Sequence, residues 1–357
     1  MKPRIDAIDT WRGVAILSVM AFHYLVRFAP PLQPTNVYGF DHAYSPLFEL
    51  GSYGVQVFFV ISGMVITMTL LRSRDALEFA FNRFARLYPA FLVCMSLTAA
   101  FVSLAGPGVF KVSLADYLGN LTMLGEPLGF RFVDGAYWSL VVEITFYAYV
   151  AAAWLLLKQR FWLGLIALGV IGAPAERINP HVADLLLIAR YMPYFLAGMS
   201  AWFILKEKRR AAGAWLGLAA LALYGFHAGT LTLAGKPSAL CAAVVLGAIC
   251  LLIASVAADA GVPLLAWIGR LSYSLYLIHQ RVGVTVIEHA KAWGPDWLAI
   301  ALAAGLCLGL AWASYTFVEK PAASALRALW RKRPARARVQ PPTSALPRES
   351  GDPGFFV

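Results

Sequence analysis

Long apolar runs recur along almost the whole chain, and they constrain the fold more than any other feature. In hydrocarbon every backbone N–H and C=O must find its partner within the protein, so only helices and closed barrels cross a membrane, and uninterrupted apolar runs mean helices. With 60% hydrophobic residues, 14% charged residues and a mean hydropathy of +0.67, the chain lies outside the range of globular proteins. The expected fold is an all-α integral membrane protein, a polytopic bundle of about ten transmembrane helices. Apolar windows place the spans at roughly 13–30, 48–71, 87–105, 136–157, 161–175, 190–205, 213–230, 238–257, 264–287 and 295–317. The fifth is short enough to be re-entrant.

Basic residues orient the spans, because cytoplasmic loops carry the excess of lysine and arginine. With the N-terminus inside, cytoplasmic segments hold 22 of the 30 basic residues. Removing the fifth span would carry Lys206, Lys208, Arg209, Arg210 and the basic tail outward, against that bias. Ten spans with both termini cytoplasmic are therefore expected, with 31–47 and 106–134 facing outward. The first span is not read as a cleaved signal, since His23 and Arg27 interrupt it.

Residues 1–321 are expected to form the membrane domain, and 322–357 a basic, Pro-rich, disordered cytoplasmic tail. Its Arg327, Arg331, Lys332, Arg333, Arg336 and Arg338 suit anionic lipid headgroups better than nucleic acid. The four cysteines fall inside expected spans without metal-ligand spacing and read as packing residues. No metal is expected.

Ionisable groups within spans are costly and so point to function. His23, 11 residues after Arg12, stands about 16 Å along the helix and about 20° from the same face. A carbonyl-satisfied core histidine is the alternative. Asp9 or Thr10 is expected to cap the start of this helix. Arg83 and Arg86 share a face before the third span, as a phosphate grip or as interfacial anchors. Ser139 and Glu143 share a face of the fourth span, where a carboxyl can bind or deprotonate a hydroxyl arriving from outside or hydrogen-bond a neighbouring helix. The ninth span carries a polar stripe from Ser272 through Tyr276 to His279, with Arg281 beyond it.

Taken in order, Ile8-Asp9-Thr10-Trp11-Arg12-Gly13 through Phe22-His23, Phe58-Phe59-Val60-Ile61-Ser62-Gly63, Arg83 with Arg86, Trp138-Ser139 through Glu143, Arg190 through Gly198-Met199, Ser272-Tyr273-Ser274 through His279, and Phe317-Val318-Glu319-Lys320-Pro321 resemble the acyltransferase-3 family. These are polytopic O-acyltransferases of bacterial surface polysaccharides. The resemblance covers about residues 5–321 and implies acyl-coenzyme A, with acetyl the default, as donor. It further implies a bacterial inner-membrane location, Arg12, Arg83 and Arg86 near a cytoplasmic donor entrance, and His23 as catalytic residue. Unlike some members, the chain shows no appended extracellular esterase-like domain, which leaves a separate periplasmic transfer partner open.

The expected activity moves an acyl group from cytoplasmic acyl-CoA to a hydroxyl of a surface saccharide. His23 would serve as general base or as acylated nucleophile, and Glu143 and His279 in acceptor binding or proton transfer nearer the outer face. A transporter or flippase would also place ionisable groups near the midplane, but no pair of broken half-helices stands at corresponding positions in two halves. A non-catalytic scaffold leaves the buried ionisable residues unexplained.

Overall fold

A computed structural model describes residues 5–27, 46–179, 183–233 and 236–332. Its long helices are α1 (Asp6–Phe22), α2 (Gly54–Arg72) and α3 (Ala76–Ala105), a short α4 (Leu114–Asn120), then α5 (Trp138–Leu157) and α6 (Phe161–Ile178). These are followed by α7 (Met192–Leu205), α8 (Arg210–His227), α9 (Ala239–Ala258), α10 (Pro263–Ala290), α11 (Asp296–Ser314) and α12 (Lys320–Arg331). A small antiparallel pair, β1 (Thr232–Leu233) and β2 (Lys236–Pro237), follows α8.

A helix occupies each of the ten segments expected to span. Six stretches of the described residues are long and apolar enough to cross a membrane, and one of them, Gly135–Ile178, contains both α5 and α6. The all-helical, multi-pass architecture is therefore present. The fifth segment is an 18-residue helix joined to α5 by a single 3-10 turn, Lys158–Arg160.

Two sequence expectations change. Neither Asp9 nor Thr10 caps α1, which already runs from Asp6 with no side-chain cap. Asp6 and Asp9 instead fall in its first turn, where negative charge suits the positive end of the helix dipole. Thr10 Oγ1 accepts from Val262 N at 2.9 Å, tying α1 to the start of α10. Residues 322–331, assigned to a disordered tail, belong to α12. Pro321 sits in its first turn, where its fixed φ favours a helix, and Ala323 is buried. Residues 333–357, with Arg333, Arg336 and Arg338, lie outside the described residues, as does most of the segment 31–47.

At the centre, α10 packs on α1, α3 and α11, and every residue from Leu271 to Gln280 is buried. A helix enclosed on all sides cannot face lipid, which is why its serines, tyrosines and histidine are tolerated. The approach of α1 to α10 depends on two glycines. A Cβ at Gly13 would stand 2.1 Å from Leu265 O, and one at Gly269 1.7 Å from Asp9 O. The two helices run parallel from this contact, and His23 and His279 each lie ten residues beyond their glycine, about 15 Å further along. Equal spacing from one anchor brings the two imidazoles to the same level.

Beyond that level, the segment between α3 and α5 is fastened to α10. Asp134, fully buried, accepts from Ala136 N at 2.9 Å and from Arg281 N at 2.9 Å. Tyr137 OH donates to Leu277 O at 3.0 Å, and Arg281 Nη1 to Phe110 O at 3.2 Å.

Candidate active site

His23 opens a π-helical turn, His23–Arg27, at the end of α1. Such a turn breaks the regular ladder and is frequent at functional positions. His279 Nδ1 lies 2.9 Å from Tyr276 O, and His279 Nε2 lies 3.1 Å from His23 Nδ1. His23 Nδ1 also lies 2.9 Å from Val19 O. These contacts assign the tautomers of the neutral pair. A carbonyl only accepts, so His279 carries its proton on Nδ1 and presents a lone pair at Nε2. His23 Nδ1 faces that lone pair and a carbonyl, so it bears the proton, and the basic lone pair of His23 is on Nε2. Tyr24 OH donates to His279 O at 2.7 Å, fixing α10 to the π turn.

Below the histidines a cavity of about 1170 Å³ enters the bundle from the end where α1 begins. It follows α2 from Arg72 to Val55, a helical rise of about 25 Å. Arg12, Arg83, Arg86 and Arg327 line its mouth, and Ser139 and Tyr276 lie at its depth. Tyr276 OH bonds Ser139 Oγ at 2.8 Å, and the Tyr276 ring centroid is 5.5 Å from that of His279. This tyrosine forms the partition between cavity and histidine pair.

The cavity wall holds buried polar atoms, Arg12 Nε, Arg83 Nε and Ser272 Oγ, that meet no hydrogen-bond partner among the described residues and so can be satisfied by water or a ligand in the cavity. The two arginines expected to act as a pair are held differently. Arg83 Nη2 donates to Thr69 Oγ1 at 2.9 Å, and its guanidinium lies 5.7 Å from the centre of the Tyr147 ring. Arg86 Nη1 is 3.0 Å from Glu319 Oε1, whose other oxygen accepts from Ser274 Oγ at 3.1 Å.

Glu143 accepts from Ser62 Oγ at 2.7 Å and from Tyr147 OH. It shares the cavity wall with Arg12, Arg83 and Arg86. The structure thus brings His23 and His279 into contact and sets Glu143 apart from them, although the sequence reading grouped Glu143 with His279. The fourth span was read against its entry from outside, whereas the cavity reaches Glu143 from the opposite end. Ser62 and Glu319 fall within the sequence segments that carried the family resemblance but received no role there. Tyr147 carried no signal beyond its i, i+4 spacing from Glu143.

A family model described as an acyltransferase domain matches residues 5–316, nearly the whole described chain. The chain belongs to the acyltransferase-3 family. An acyltransferase, MdmB, of Streptomyces mycarofaciens is 26% identical over 98% of this chain and 99% of its own length. Nodulation protein 10 of Rhizobium leguminosarum bv. viciae is 26% identical over 90% of this chain and 93% of its own. An O-acetyl transferase of Shigella phage Sf6 is 32% identical over 26% of this chain and 25% of its own. No solved structure matches. As an acyltransferase-3 protein with several apolar membrane-crossing stretches, the chain is a multi-pass membrane O-acyltransferase.

Proposed function

We propose that this enzyme takes an acetyl or similar acyl group from acyl-coenzyme A in the cytoplasm and passes it to a hydroxyl of a surface saccharide or lipid-linked saccharide on the outer side of a bacterial inner membrane. The observation that carries the reading is the histidine pair beyond the inner end of an arginine-mouthed cavity. Donor phosphates would rest on Arg12, Arg83 and Arg86, while the uncharged pantetheine arm lies along α2 and α10 toward Tyr276. The buried Arg12 Nε, Arg83 Nε and Ser272 Oγ, which meet no hydrogen-bond partner among the described residues, support a polar, anionic occupant. Glu143, bound to Ser62 and Tyr147, belongs in this reading to the donor channel. The proposed topology retains ten crossings with both ends cytoplasmic, which puts the cavity mouth on the donor's side.

In the proposed reaction His23 Nε2 removes the acceptor hydroxyl proton as its oxygen attacks the thioester carbon. The C–S bond then breaks and the same proton passes to the departing thiolate, so His23 ends as it began. His279 accepts the His23 Nδ1–H throughout and stabilises the transient imidazolium, the role a carboxylate plays in hydrolase triads.

The test is purified protein in lipid nanodiscs with labelled acetyl-coenzyme A and a saccharide acceptor. Wild type should consume the thioester, and His23→Ala should lower turnover by roughly a hundredfold or more while donor binding persists. His23→Gln, which cannot take the proton, should be equally inactive. Substantial turnover by His23→Gln would remove the chemical role, and label trapped covalently on wild-type protein would make His23 Nε2 the nucleophile instead.

A further inference from the structure

A buried polar atom with no partner in the protein marks a place that water or a ligand must satisfy, and α10 carries one beyond the cavity. Ser272, Tyr276 and Gln280 follow one another at i, i+4 and i+8 along this helix. Ser272 and Tyr276 line the cavity, whereas Gln280 stands one turn past Tyr276, on the far side of the partition that its ring forms. Gln280 is only 8% exposed, and its Oε1 meets no hydrogen-bond partner among the described residues. It directly follows His279, and Tyr276 precedes the two by three and four residues, so both stand over that ring.

The neighbouring backbone leaves room for this amide. Gly135 opens a 3-10 turn that is tied to α10 on both sides, by Asp134 Oδ2 accepting from Arg281 N at 2.9 Å and by Tyr137 OH donating to Leu277 O at 3.0 Å. Gln280 falls between those two ties. A Cβ at Gly135 would stand 2.8 Å from Gln280 Nε2 and 3.3 Å from its Oε1, so any larger residue there would push the amide aside. An apolar side chain of the same size would fill the site with no polar atom left over. A buried amide oxygen open to a partner costs stability, and such costs concentrate at sites that bind substrate.

We propose that Gln280 binds the saccharide acceptor, its Oε1 accepting from the hydroxyl that neighbours the one being acylated. This rests on the reading of the His23–His279 pair as the site of acyl transfer. The donor thioester reaches Tyr276 from the cavity side, so an acceptor arriving from the opposite end meets the residues beyond that ring. There His279 turns toward α1 and Gln280 toward the 134–137 turn, about 100° apart around the helix axis, and the wedge between them lies over Tyr276. A sugar ring in that wedge sets one hydroxyl at His23 and the next at the amide.

The experiment follows label from acetyl-coenzyme A into the glycans of inverted membrane vesicles of the native host, which carry the natural acceptor, with each full-length variant in place of wild type. Gln280→Met keeps the volume and removes the amide, and it should lower transfer roughly tenfold at saturating donor, the worth of one hydrogen bond to substrate. The apparent donor KM and the pH midpoint of transfer should match wild type, and the purified variant should unfold at no lower a temperature, because no hydrogen bond within the protein is lost. Gly135→Ala, whose methyl group meets only the end of the Gln280 side chain, should lower transfer in the same way and add nothing in a Gln280→Ala background. Undiminished transfer by Gln280→Met or by Gly135→Ala, or a lowered unfolding temperature in Gln280→Met, would overturn the assignment and make the amide a packing or water-binding group. A shifted pH midpoint would overturn it equally, by showing that the amide acts on the histidine pair. In all of these cases wild type still transfers the label; absence of transfer by wild type would overturn the acyl-transfer reading and this one with it.

Discussion

At the scale of single residues, the contact on which the proposed chemistry turns is His279 Nε2 to His23 Nδ1 at 3.1 Å. In the proposed reaction His279 acts on the substrate through His23, by fixing which nitrogen of that ring holds the proton. His279→Ala should lower kcat by roughly tenfold to a hundredfold and leave the donor KM unchanged, because the lost interaction strengthens only as His23 becomes charged. His279→Gln presents an acceptor oxygen to the same nitrogen and should recover part of the rate, while His279→Phe keeps the ring shape without the lone pair and should not. Equal activity in the Gln and Phe variants would show that the ring fills space only. Sequence made both histidines suspect, since an imidazole within an apolar span demands a reason. It had no access to their contact, because 255 positions separate Tyr24 from His279 and only the packing of α1 on α10 brings that part of the chain together.

At the scale of elements, glycine positions and one capped loop set the geometry. Replacing Gly269 with alanine would put a methyl group where Asp9 O now stands, and backbone cannot yield as a side chain does. Gly269→Ala should therefore destabilise the protein by about 1–3 kcal/mol and depress turnover, although no histidine is altered. Thermal unfolding in detergent reads the first effect; an unchanged midpoint would mean α1 and α10 approach less closely. Outside the spans, Asp116 of α4 accepts from Ser113 Oγ at 2.7 Å and Arg131 N at 2.8 Å, and these bonds hold its carboxyl below the usual 3.8. A depressed carboxylate contributes stability above its unfolded value and loses it as pH falls through the folded one. The 113–131 turn should stay fastened at neutral pH and loosen only below 3.8, seen as faster hydrogen exchange of the Arg131 amide. In Asp116→Asn that acid-dependent step should vanish. The helices themselves were legible from apolar windows, but α12 was not: its Arg- and Ala-rich sequence resembles a solvated tail until Pro321, Ala323 and the Phe81–Trp330 stack are seen together.

At the scale of the whole molecule, the proposed topology places Arg210, exposed at the start of α8, in the cytoplasm. On a background with Cys250 replaced, Arg210→Cys should resist an impermeant thiol reagent in intact cells and react after permeabilisation; labelling in intact cells would invert α7 and α8. Sequence by itself determined that this chain folds as apolar helices, because hydrocarbon leaves the backbone no other partner than itself and that requirement is local. It also held the family, written in ordered segments from Arg12 to Glu319. Which polar residues share a site was a tertiary decision. Two glycines let α1 and α10 touch and matched His23 with His279, while the cavity along α2 joined Glu143 to the arginines instead. Depth along a helix can be counted from sequence, but the face each helix turns to its neighbours depends on backbone approach and side-chain fit between segments far apart in the chain.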